Sequence, residues 1–196
     1  MMDVFAGFDS ASDHVLNVYD MNIVATGATF FQGTSLAERR WSPGAGSATS
    51  ESLDSFVTLG EATDAGTTYA AFATAADPSF SNYNTNYATT IAANAGWYNS
   101  NPLSTEGDAV LLSADPAFAR FGAESTHGVW VAHFVFNTAA VETGASVAFS
   151  GGIGFKNPTT AGAQLTTGTA NFVIPAPGAL ALLAAVAGTR SRKRCS

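Results

Sequence analysis

Val129-Trp130-Val131-Ala132-His133-Phe134-Val135-Phe136 decides the fold. Strict alternation would put Trp130, Ala132, Phe134 and Phe136 on one face and Val131, His133 and Val135 on the other. Both sets are apolar, which predicts a central strand covered on both sides. His133 then reads as a core histidine rather than a ligand. His127, six residues earlier, would sit ~20 Å away along an extended strand, so the two cannot share a metal as neighbours.

Working outward, Val15–Val24 alternates in part and is rich in β-branched and aromatic residues, predicting a strand with one wetter face. Ala28–Gln32, Ser55–Leu59, Thr67–Thr74, Asp108–Leu112, Ala145–Phe149, Gly152–Phe155 and Gln164–Ile174 are further strands. Short strands separated by Gly, Pro, Asn and Ser clusters predict a mainly β chain, a β-sandwich of jelly-roll or immunoglobulin-like type with one C-terminal hydrophobic helix. Arg39–Ser52, with Ser42-Pro43-Gly44-Ala45-Gly46-Ser47, is expected to be a mobile loop, and residues 75–107 an irregular stretch with a short helix at Ala88–Asn94. Ala76-Asp77-Pro78-Ser79-Phe80 recurs as Ala114-Asp115-Pro116-Ala117-Phe118, which predicts a repeated turn.

The chain has 196 residues, 46% hydrophobic and 12% charged, enough for one domain with a real core and too apolar for disorder. Its net charge of −7 is unevenly placed. All 15 acidic residues lie between Asp3 and Glu142, while Arg190, Arg192, Lys193 and Arg194 crowd the end. Residues 1–189 therefore carry −11, which gives no electrostatic footprint for a phosphate backbone and excludes a nucleic-acid partner. The only cysteine is Cys195, so the body has no disulfide and no thiol nucleophile.

Chemistry-bearing motifs are sparse. Asp9-Ser10-Ala11-Ser12-Asp13 offers oxygen ligands but lacks the glycine and terminal glutamate of a calcium loop. Gly151-Gly152-Ile153-Gly154-Phe155 fails the dinucleotide pattern and reads as a β-bulge or bend. Glu38, Glu51, Glu106, Asp108 and Glu142 supply carboxylates whose spacing would decide any glycosidase chemistry. No catalytic set, metal site or cofactor is assigned, and the chain is expected not to be an enzyme. Tyr83, Tyr87, Trp97, Tyr98 and Asn99 lie in an aromatic and Asn-rich stretch whose rings and amides suit sugar stacking and hydrogen bonding. The runner-up function is therefore a carbohydrate-binding module associated with exopolysaccharide.

Phe172–Thr189 is an uncharged run of 18 residues, at the lower edge of what spans a hydrocarbon core. Pro175, Ala176 and Pro177 lie near its start, ahead of the apolar Gly178–Gly188, and Arg190, Arg192, Lys193 and Arg194 follow as a stop-transfer cluster that stays cytoplasmic. The chain divides at 171/172 into an ectodomain and this tail.

The order of parts, a Pro-x-Pro box, an apolar helix and a basic end, resembles the PEP-CTERM sorting signal. Pro175 and Pro177 match the family's prolines, and Ala176 stands where it has glutamate. The resemblance implies export, a membrane held by the C-terminal helix, and an exosortase-type sorting enzyme that cleaves near the box and leaves the body at the cell surface or in the extracellular matrix. Val18-Tyr19-Asp20, Leu53-Asp54-Ser55-Phe56-Val57 and Trp97-Tyr98-Asn99 make the body similar to ectodomains that carry this tail. Met1-Met2-Asp3-Val4 shows no basic, apolar leader, so a signal peptide is expected upstream of this start.

Overall fold

The structure, a computed structural model, describes residues 2–33, 40–42, 54–64, 67–70, 74–101, 105–111, 127–137 and 141–174. These form eleven strands: β1 (Met2–Phe8), β2 (His14–Thr26), β3 (Phe56–Val57), β4 (Glu61–Asp64), β5 (Thr67–Ala70), β6 (Thr74–Ala76), β7 (Ala95–Asn99), β8 (Val110–Leu111), β9 (His127–Phe134), β10 (Ser146–Lys156) and β11 (Ala163–Val173). One antiparallel sheet runs β1-β9-β3, with β8 also on β9, and a second runs β11-β10-β2-β7-β6. The pair β4-β5 stands apart. Two antiparallel sheets enclosing a shared core match the predicted sandwich. From Pro175 onward the tail, with all seven sorting and stop-transfer residues, lies outside the described residues, so the expected helix does too.

The core is aromatic at its centre. Phe30, held by an isolated bridge to Phe136, meets Trp41 edge-on at 5.4 Å and Phe134 at 4.9 Å. Phe134 of β9 reaches across to Phe149 of β10 at 5.9 Å, and Phe8 of β1 meets Phe155 of β10 at 5.3 Å, so both sheets contribute rings. Such pairs are worth about 0.5–1.5 kcal/mol each beyond the area they bury.

Several expectations are corrected. β9 is central, but its alternation is broken: Phe5 pairs with Trp130 and Val4 with Ala132, leaving Val131 as a bulge. Trp130 therefore joins His133 and Phe56, at 6.1 and 5.4 Å, instead of sharing a face with Phe134. Ala145–Phe149 and Gly152–Phe155 are not two strands but the single β10, whose glycines absorb register shifts against β2. Asp20 opposite one shift takes a positive φ of 49°. Residues 75–107 hold β6 in part and all of β7, and Ala88–Asn94 is turn and coil rather than helix. Within the expected mobile loop, Trp41 is fully buried and tied to Tyr83 and Val57 by backbone hydrogen bonds of 3.0 and 2.9 Å. β11 runs through Phe172, whose ring meets Phe149 at 5.6 Å, so the body extends past the 171/172 division.

The first Asp-Pro copy does form a turn. Asp77 Oδ1 accepts the Ser79 N–H at 2.9 Å and the Asp77 carbonyl accepts the Phe80 N–H at 2.9 Å. The second copy lies outside the described residues.

Candidate functional site

Alternation along β7 sorts the aromatic candidates. Ala95 and Trp97 face the core, and Tyr98 between its neighbours faces out. Trp97 is 1% exposed, and its indole N–H donates to the Thr58 carbonyl at 3.0 Å. Phe80 sits 6.1 Å from that indole and 5.2 Å from Tyr83. Tyr83 is also buried, its hydroxyl on the Thr74 carbonyl at 3.3 Å, and desolvation pushes its phenol up to about 12. Trp97 and Tyr83 thus cannot offer a ring face to a ligand. Tyr87 and Tyr98 are 50% and 41% exposed, and Asn99 is half-buried at the end of β7. The five expected residues are therefore split between core and surface.

The surface members gain partners that the sequence did not indicate. On the outer face of the five-stranded sheet, Tyr98 pairs with Asn17 of β2. Asn17, Tyr19, Asp77, Tyr98 and Asn99 line an open cleft of about 350 Å³. Glycines on β10 shape its surroundings. A Cβ at Gly152 would lie 2.3 Å from Tyr19 Cζ, and one at Gly154 would lie 2.2 Å from Asn17 Oδ1. Only hydrogen at those two positions lets the Tyr19 ring and the Asn17 carboxamide lie flat across β10, and the Tyr19 hydroxyl reaches the Thr166 carbonyl of β11 at 3.5 Å. The Asn17 oxygen is buried without a partner. Toward β7 the cleft offers the Tyr98 hydroxyl, the Asn99 carboxamide and the Asp77 carboxylate, hydrogen-bonding groups of both kinds. Asn17 and Tyr19 flank the core residue Val18, so alternation in Val15–Val24 already places them on the wetter face. What the sequence lacked was the identity of the neighbouring strand.

The other candidates form separate pairs. His133 Nδ1 and Asp3 Oδ1 are 2.6 Å apart, with the His133 ring stacked on Phe56 at 5.3 Å and its Nε2 buried without a partner. His14 Nδ1 and Asp108 Oδ1 are 2.7 Å apart, and the His14 Nε2 lies beside Gly107. Asp13, from the oxygen-rich loop, is buried and accepts a hydrogen bond from Asn157. Among the described residues no three His, Cys, Asp or Glu side chains gather in a metal-binding group. Glu38 and Glu51 lie outside the described residues. Among those described, no helix is long and apolar enough to cross a membrane.

Comparison of the chain with known protein families, with curated proteins and with solved structures finds no match in any of the three.

Proposed function

We propose that the chain is a non-enzymatic exported protein, a jelly-roll or immunoglobulin-like sandwich presented at the cell surface or in the extracellular matrix by a PEP-CTERM-like tail. The observation that supports this is that the last described strand, β11, leads directly into the Pro-Ala-Pro box. The Ile174 N–H donates to the Ala145 carbonyl at 2.7 Å, extending the β10–β11 ladder, and the next residue is Pro175 of the Pro-Ala-Pro box. The uncharged run beyond β11 is Ile174–Thr189, 16 residues, short of the ~20 that span a bilayer. Snorkelling of Arg190, Arg192, Lys193 and Arg194 makes up part of that length. An exosortase-type enzyme is the partner in this reading. Fractionation of the native cells with mass spectrometry of the mature termini tests it. The expected product ends near Pro175–Pro177 in a surface or extracellular fraction; an intact Arg194 terminus on a cytosolic protein overturns it.

A second reading, glycan binding, is supported by the cleft. Its residues are redrawn as Tyr98, Tyr19, Asn17 and Asn99, with Trp97 and Tyr83 serving the core. The ligand class is a neutral exopolysaccharide, because Asp77 and the −11 body repel anionic chains. Titration with the native polysaccharide should show Tyr98→Ala losing about tenfold in affinity, the worth of one stacked ring. Equal affinity of Tyr98→Ala and parent protein removes the cleft from consideration.

A further inference from the structure

The sheet edges differ in how they are guarded. β1 carries Asp3 and lies against the Val131 bulge of β9; β6 has three residues and β3 and β8 have two each. Charge, bulges and shortness are the usual means by which sheet edges avoid pairing with another chain. β11 has none of them. It is 11 residues long, Ala163-Gln164-Leu165-Thr166-Thr167-Gly168-Thr169-Ala170-Asn171-Phe172-Val173, without a charge or a proline. It pairs with β10 residue for residue with no register shift, and every residue but Gln164 is exposed, Leu165 and Val173 to 71%.

We infer that β11 is a self-association edge, pairing antiparallel with β11 of a second copy so that the two five-stranded sheets become one. Among the described residues no strand lies beyond it, so its far row of N–H and C=O groups, otherwise left to water, is open to a further strand. The charge distribution selects a copy of this chain as that strand. The acidic residues end at Glu142, and residues 143–174 carry a single charge, Lys156, so this hairpin is where two acidic bodies meet without like charges opposed. The self-register that pairs all 11 residues is centred on Gly168. It sets Thr167 against Thr169 on both sides, a favourable cross-strand pair, and Leu165 against Asn171. The inference does not depend on either reading under Proposed function.

The test uses the full chain carrying Cys195→Ser, in a mild non-ionic detergent that solvates the apolar tail. In the centred register residue 168 faces itself with Cα atoms about 4.5–5.5 Å apart, within disulfide reach. The two copies of residue 165 lie ~20 Å apart. A Cβ at Gly168 meets nothing within 4 Å, so Gly168→Cys is tolerated by the monomer. The expected result is a dimer by sedimentation, oxidative cross-linking of Gly168→Cys and none of Leu165→Cys. Thr167→Lys/Thr169→Lys, which brings four ammonium groups together, should return a single-copy mass with unchanged circular dichroism. A monomeric parent, no cross-link at 168, or equal cross-linking at 168 and 165 overturns the inference. Dimerisation that survives the double lysine variant also overturns it and assigns the contact to the tail.

Discussion

The inner and outer faces of the five-stranded sheet are made by the same strands, yet adjacent residues on them have opposite fates. Trp97 and Tyr98 are neighbours in sequence, both aromatic, both with a polar atom on the ring. One is sealed in the core with its N–H on Thr58, and the other stands 41% exposed over the cleft. Val18 and Tyr19 repeat the division on the next strand. Residue type does not distinguish a core anchor from an exposed ring here; strand parity does, together with what the neighbouring strand leaves open. On the inner face β10 supplies Phe149 and Phe155, whereas on the outer face it supplies Gly152 and Gly154.

The sharpest way to break this contrast is to truncate each member. Trp97→Ala should cost about 3–5 kcal/mol in chemical denaturation, because it opens a cavity and leaves the Thr58 carbonyl without its donor. Tyr98→Ala should stay within about 0.5 kcal/mol of the parent. Equal losses would show that the two faces are not energetically distinct.

Tyr83 gives the inner face a pH signature. Its phenol titrates from 10.0 in the unfolded chain to about 12 in the folded one, so the folded state keeps its proton longer. That contribution is fully present below pH 10 and is lost as pH rises toward 12, by about 2–3 kcal/mol. Tyr83→Phe should flatten the decline of the denaturation midpoint across that window. An unchanged slope would place Tyr83 in contact with water.

Gly152→Ala probes the outer face. Its Cβ collides with the Tyr19 ring, so a loss of about 1–3 kcal/mol and a shifted near-ultraviolet tyrosine signal are expected. Pairing it with Tyr19→Ala should recover most of the loss, since the collision then has no partner; no recovery would mean that the strain lies in the backbone of β10.

The strands legible in the sequence are those whose own residues carry the β signal. β2, β9 and β11 are long, rich in β-branched or aromatic residues, and read correctly to within about two residues at most ends. β7 is not legible because Trp97-Tyr98 is a two-residue β signal set between Ala95-Gly96 and Asn99, too short to show a period, and the strand is fixed by pairing with β2 and β6. Trp41 was missed for a related reason. It lies among turn residues with no period, and only the core that closes over it shows what it does. The candidate site was half legible: Tyr98 and Asn99 lie in the aromatic stretch, but Asn17 and Tyr19 enter the cleft through a register that the sequence does not encode locally. Bulges at Val131 and opposite Asp20 defeat any reading by strict alternation.

The pairing of β1 with β9 and of β2 with β10 joins the first 26 residues to strands beyond residue 126. Neither large sheet can therefore close until most of the chain has left the ribosome, and the N-terminal strands wait for partners made last. Non-local pairing of this kind is slow to form. Closure of both large sheets is thus a late event in the synthesis of this chain.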